Sequence, residues 1–83
     1  MKLRYFAWVR ERAGITEEEV TLPENVATVE ELIAWLKTRG PEFAHAFENA
    51  QTIRAAIDLT HAEHDAALAG ASEIAFFPPV TGG

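Results

Sequence analysis

This sequence predicts an α+β fold, a mixed sheet with one main helix packed on one of its faces, on three observations. Apolar and polar residues alternate near both ends of the chain, a strongly capped helical segment lies between them, and a single core must serve 83 residues. A chain this short cannot divide its apolar residues between two cores and stabilise both. At 48% hydrophobic and 24% charged, it carries enough apolar surface to close that one core.

From Lys2 to Val9 the residues sort by parity as a strand demands. Leu3, Tyr5, Ala7 and Val9 form the core face, while Lys2, Arg4, Phe6 and Trp8 point the other way. Phe6 and Trp8 share their parity with charged residues, so they are expected on the less buried side, an early hint of an aromatic patch. Arg10 to Gly14 reads as a turn, and Glu18 to Leu22 as a second strand, hairpin-paired with the first and ended by Pro23. The acidic run Glu17, Glu18, Glu19 reads as solvated loop or sheet edge.

Thr28-Val29-Glu30-Glu31 has the form of a capping box, in which the Thr hydroxyl and the Glu three residues on satisfy free amides at a helix start. Val29, Leu32, Ile33 and Leu36 then recur at helical spacing, with Gly40-Pro41 expected as left-handed cap and stop. Phe43, Ala46 and Phe47 suggest a second short helical turn that packs two rings under the sheet's edge. Thr52 to Asp58 alternates again as a third strand, with Ile53, Ala55 and Ile57 opposed to Arg54, Ala56 and Asp58. His61 to Gly70 reads as polar and irregular, and a last strand runs from Glu73 to Phe77 with Ile74 and Phe76 inward.

The order β, β, α, β, β has one compact solution: the helix crosses one face of a mixed sheet whose first and last strands lie side by side in the middle. That is the β-grasp, or ubiquitin-like, arrangement, here spanning residues 1–77. It puts Phe6, Trp8 and Phe77 together on the face away from the helix, and a contiguous aromatic cluster on a small domain marks a partner interface.

The formal charge of -6 argues against a nucleic-acid or anionic-membrane partner, since both are bound through clustered Lys and Arg. Lys2, Arg4, Arg10 and Arg12 nevertheless fall close together, as a solvated strand edge or a local docking patch. The absence of cysteine leaves no disulfide, thiolate metal site or thiol nucleophile. The charged N-terminal segment lacks the apolar core of a signal peptide, so a cytoplasmic protein is expected.

Residues 78–83, Pro78-Pro79-Val80-Thr81-Gly82-Gly83, read as an extended arm. Two prolines cannot donate to a β-ladder and prefer extended dihedrals, so the chain leaves the sheet after Phe77. Six residues reach roughly 20 Å, enough to enter another protein's active site. The two glycines taper the arm to bare backbone that can thread a narrow channel. A terminal carboxylate becomes electrophilic once converted to an acyl-adenylate, and attack by a sulfur donor then leaves a thiocarboxylate on Gly83, a soft nucleophile made without cysteine.

The segment Glu73-Ile74-Ala75-Phe76-Phe77-Pro78-Pro79-Val80-Thr81-Gly82-Gly83 resembles the C-terminal signature of molybdopterin synthase small subunits. Phe6-Ala7-Trp8-Val9-Arg10-Glu11 with Gly14 resembles that family's first strand and turn, and Thr28-Val29-Glu30-Glu31-Leu32 its helix start. Departures are confined to turns: Gly70-Ala71-Ser72-Glu73 stands where the family commonly has Gly-Asp-Glu, and Asp58 where it has Asn. The resemblance implies a sulfur carrier with no permanently bound cofactor. A partner adenylating enzyme consumes ATP to activate Gly83, sulfur is installed as thiocarboxylate, and Gly82 threads the channel of the large synthase subunit. Sulfur then passes to cyclic pyranopterin monophosphate, with acid-base groups supplied by the large subunit in a heterotetramer. The docking residues it implies, taken with the parity argument, are Phe6, Trp8, Arg10, Phe77, Pro78, Pro79, Val80 and Thr81.

His61-Ala62-Glu63-His64 lacks the spacing of a helical zinc motif and has no Cys partner, so no metal site is expected. His45 reads as structural. A sulfur carrier for thiamine thiazole synthesis, a protein-conjugating modifier and a plain binding module remain as alternatives.

Overall fold

The computed structural model describes residues 1–79. Its elements are β1 (Lys2–Tyr5), α1 (Ala7–Ala13), β2 (Glu17–Glu19), α2 (Val29–Lys37), α3 (Pro41–Ala46), a 3-10 turn at Ala50–Thr52, β3 (Arg54–Ile57), β4 (Thr60–Ala62) and β5 (Glu73–Phe77). The five strands form one sheet in the order β2-β1-β5-β3-β4. Only the central pair, β1 and β5, runs parallel, with Leu3 opposite Ile74 and Tyr5 opposite Phe76; β1–β2, β3–β4 and β3–β5 are antiparallel. This is the β-grasp arrangement that the order of the strands predicted.

The core lies between one face of the sheet and the helices. Leu3, Tyr5, Ala55, Ile74 and Phe76 from the strands meet Val29, Leu32, Ile33 and Leu36 of α2, all buried. Phe43 and Phe47 pack on the centre of the sheet instead of under its edge. Their ring centroids stand 6.1 and 6.4 Å from Tyr5, and Phe47 meets Phe76 edge-on at 5.2 Å. The capping box at Thr28 is formed in both directions, the Thr28 hydroxyl accepting from Glu31 N–H and the Glu31 carboxylate accepting from Thr28 N–H. Gly40 does not cap α2, which ends at Lys37 with Thr38 in ordinary right-handed geometry. It leads into Pro41, the first residue of α3, at φ 155 and ψ 168: the following proline keeps it out of the helical region, and the missing β-carbon permits the positive φ.

Two expected elements are corrected. The first strand stops at Tyr5, and the segment expected as its end and a turn is helix α1. Ala7 at φ 52 reverses the chain there, and Gly14 at φ 85 ends the helix by donating its N–H to Arg10 O. The antiparallel pairing with β2 holds, but the connection is this helix and not a tight hairpin. Where the chain was expected to be irregular from His61 on, Thr60–Ala62 forms β4, an edge strand joined to β3 through Asp58 and Leu59, both at positive φ. Asp58 stands where the resembled family has Asn and still closes the turn: its Oδ1 accepts from Ser72 N–H and Glu73 N–H at 3.0 and 2.9 Å.

The three glutamates occupy the edge strand β2, with Glu17 and Glu19 exposed and Glu18 turned inward. Glu18 accepts from Tyr5 OH at 2.8 Å and from both terminal nitrogens of Arg39 at 2.7 and 2.9 Å. The Arg39 guanidinium holds the Glu18 carboxyl below the usual glutamate range; partial burial opposes that effect and the Tyr5 hydroxyl adds to it. Burial, reinforced by the same carboxylate, pushes the Tyr5 phenol well above its ordinary value.

Candidate docking face and carrier arm

The side of the sheet away from the helices is open. Because β1 buries Leu3 and Tyr5, Lys2 and Arg4 face outward, and Phe6 continues the alternation in extended geometry, φ -125 and ψ 154. Phe6 N–H donates to Phe76 O at 3.0 Å, which prolongs the parallel pairing by one residue and brings Phe6 beside Phe77. Phe6 is one of the few large hydrophobic side chains left exposed, at 37%. Arg4 crosses the same face, its guanidinium carbon 5.3 Å above the Phe6 ring and its Nη1 3.6 Å from Glu73 Oε2.

Further along the face, Ala75 of β5 stands opposite Ala56 of β3, and His61 of β4 opposite Ala56 on the other side. These small residues make a low floor between Arg4 and His61. Arg54 is paired with Phe77, where β5 ends and Pro78 begins. The face thus offers two aromatic rings with a guanidinium on either side, at the pole from which the arm leaves.

Of the residues expected at the interface, the structure brings Phe6 and Phe77 together and sets Pro78 next to them. It does not bring Trp8 there by strand parity, since Trp8 belongs to helix α1. Its ring packs against the core, with the Arg12 guanidinium 4.5 Å above it. Arg10 is exposed on the same helix, while Lys2, Arg4 and Arg12 each pair with a glutamate. Pro79 is half-buried, and Val80, Thr81, Gly82 and Gly83 lie outside the described residues. Arg54 and His61 join the face without having been expected at the interface. Alternation had put Arg54 on a wet side, but without β4 there was no means of locating His61.

Among the described residues no group of three or more His, Asp or Glu side chains is placed to hold a metal ion. His64 is tied to the fold, its Nε2 2.7 Å from Ile53 O, and His45 is an exposed residue 3.6 Å from Glu48. Among the same residues no helix is long and apolar enough to cross a membrane.

The chain matches the ThiS family over residues 3–83. It is 37% identical to the molybdopterin synthase sulfur carrier subunit of Escherichia coli strain K12 over 83 residues, covering 100% of this chain and 99% of that protein. Among solved structures it resembles the putative molybdopterin converting factor, subunit 1, of Pyrococcus furiosus, with a TM-score of 0.72, 31% identity and 95% of each chain covered. It also resembles small archaeal modifier protein 1 of Haloferax volcanii, with a TM-score of 0.71, 25% identity and 96% and 97% covered. Since the likeness takes in the whole sheet, its helices and the Pro-Pro exit in one stretch, the chain belongs to the ThiS family.

Proposed function

We propose that this chain is the sulfur carrier subunit of a molybdopterin synthase, with Gly83 as the carrier group. The observation that carries the reading is the end-to-end likeness, at 37% identity, to a protein of that name. A central strand that runs directly into two prolines supports it, because a chain anchored mid-sheet leaves the domain at a fixed place.

In this reading a partner adenylating enzyme joins the Gly83 carboxylate to the adenylyl group of ATP and releases pyrophosphate. A sulfur nucleophile then attacks the acyl carbon and expels AMP, leaving the thiocarboxylate. The arm enters the large synthase subunit, Gly82 passing its narrowest point, and the sulfur is given to cyclic pyranopterin monophosphate. Phe6, Phe77, Pro78 and Pro79 seat the domain, Val80 and Thr81 line the entry, and Trp8 and Arg10 meet the partner from the flank of α1. This chain is the donor, and the acid-base groups belong to the large subunit, in a heterotetramer working in the cytoplasm.

The test is the intact mass of the chain after incubation with ATP, a sulfur donor and the adenylating enzyme. One oxygen-to-sulfur exchange mapped to Gly83 is expected; an unmodified terminus overturns the reading. Appending one residue after Gly83 is expected to abolish loading while leaving the thermal melt unchanged. The likeness to an archaeal modifier protein favours one alternative, conjugation to lysines through the same adenylate, which would register as covalent adducts of other proteins.

A further inference from the structure

Beside the two aromatic rings lies a second feature with a different chemistry. A small polar pocket of about 160 Å³ opens at the β3–β4 edge, lined among others by Gln51, Ile53, Arg54, His61, Glu63 and His64. Register places it at the arm's end of the sheet, since Arg54 is the residue opposite Phe77. Its walls are set by the fold: the His64 ring is anchored by its Nε2 to Ile53 O, and the backbone of His64 accepts from Glu30 N–H at 2.8 Å, tying the pocket to the first turn of α2.

The pocket brings one guanidinium and one carboxylate, Arg54 and Glu63, to the same rim without an ion pair between them. Lys2, Arg4, Arg12 and Arg39 all hold a glutamate within ion-pair distance, whereas Arg54, like Arg10 and Lys37 away from this pocket, makes no ion pair with any of the described residues. Glu63 lines the same pocket without closing on it. An exposed guanidinium offers a planar fork of donors matched to a carboxylate. In a chain of net charge -6, it stands next to the aromatic rings proposed to seat the partner.

We infer that the pocket of Arg54, His61 and His64, joined to the docking face through Arg54, the register partner of Phe77, receives a carboxylate side chain of the docking partner. The inference rests on the reading that Phe6 and Phe77 seat this domain on a large synthase subunit. Arg54 supplies the charge-assisted fork, the His61 ring borders the site from the neighbouring strand, and Glu63 opposes the incoming charge.

The experiment is titration of the full-length chain and its variants against the cognate large subunit by calorimetry at two salt concentrations, with Phe6→Ala as the reference. Reversing the charge in Arg54→Glu is expected to weaken binding about tenfold or more and to flatten its salt dependence, with Arg54→Lys, which restores the charge but not the fork, recovering only part of the loss. Glu63→Gln, which removes the opposing charge, is expected to tighten binding about twofold. Arg54 and Glu63 are exposed, and the melting temperatures of all three variants are expected to match that of the parent. If Phe6→Ala weakens binding and Arg54→Glu does not, the pocket has no such role and the docking face stands. If neither weakens it, the docking reading falls and the inference falls with it.

Discussion

Glu18 accepts three hydrogen bonds, one from the buried Tyr5 hydroxyl and two from Arg39, a residue twenty-one positions later in the chain. The Arg39 guanidinium is itself set over the rings of Trp35 and Phe43, at 5.2 and 4.8 Å, so its fork is held in place before the carboxylate meets it. Glu18→Gln keeps the shape and removes the charge, with an expected loss of about 1–2 kcal/mol at neutral pH. Because the folded-state pKa of Glu18 is depressed, its contribution is present above the unfolded value and disappears as pH falls through the folded one. Urea titrations of parent and Glu18→Gln are therefore expected to converge on acidification below the ordinary glutamate value of 4.5. Leu59 makes the opposite case. It is 82% exposed and sits at φ 72 in the β3–β4 turn, where a side chain contributes little burial and a β-carbon costs energy. Leu59→Gly is expected to raise the thermal midpoint, by the equivalent of about 0.5–1 kcal/mol after the entropy of the added glycine is deducted.

At the scale of elements, helices α1 and α2 are a matched contrast. Helix α2 was legible because its start is written in local chemistry, the Thr28–Glu31 box, and its buried face in the spacing of Val29, Leu32, Ile33 and Leu36. Thr28→Ala is expected to cost about 1 kcal/mol, read from the denaturation midpoint. Helix α1 was not legible, because Phe6 caps it without a side-chain hydrogen bond and Tyr5 to Val9 alternates as well as any strand. The signals that point to it are at its far end: Arg10 and Arg12 in the last turn and Gly14 in left-handed geometry. Gly14→Ala tests that end alone. A β-carbon there meets nothing within 4 Å, so the expected loss of about 1 kcal/mol belongs to the backbone and not to a clash. Strand β4 escaped notice because Thr60-His61-Ala62 is short, polar and at an edge, where a residue need face neither core nor neighbour. Phe6 and Phe77 were legible on the open face because β1 and β5 are true strands; Trp8 was misplaced by the same rule, carried past the point where the strand ends.

For the whole molecule, the decisive contact joins residues from the two ends of the chain. Phe76 stacks on Tyr5 at 6.1 Å and meets Phe47 edge-on, so one ring ties together the first strand, the last strand and the residue that ends α3. Phe76→Ala is expected to cost about 3–5 kcal/mol, a large part of what a domain of this size possesses, and to lower the urea midpoint accordingly. Both outer edges are short, three residues each, and β2 is further guarded by its glutamates; the centre of the sheet is left to β1 and β5. The parallel register of that central pair also has a mechanical side. A tug on Pro78 pulls β5 lengthwise between β1 and β3, so the load falls on both ladders in shear and their hydrogen bonds resist together instead of opening one after another. A domain strung this way takes a pull on its tail along its two longest ladders.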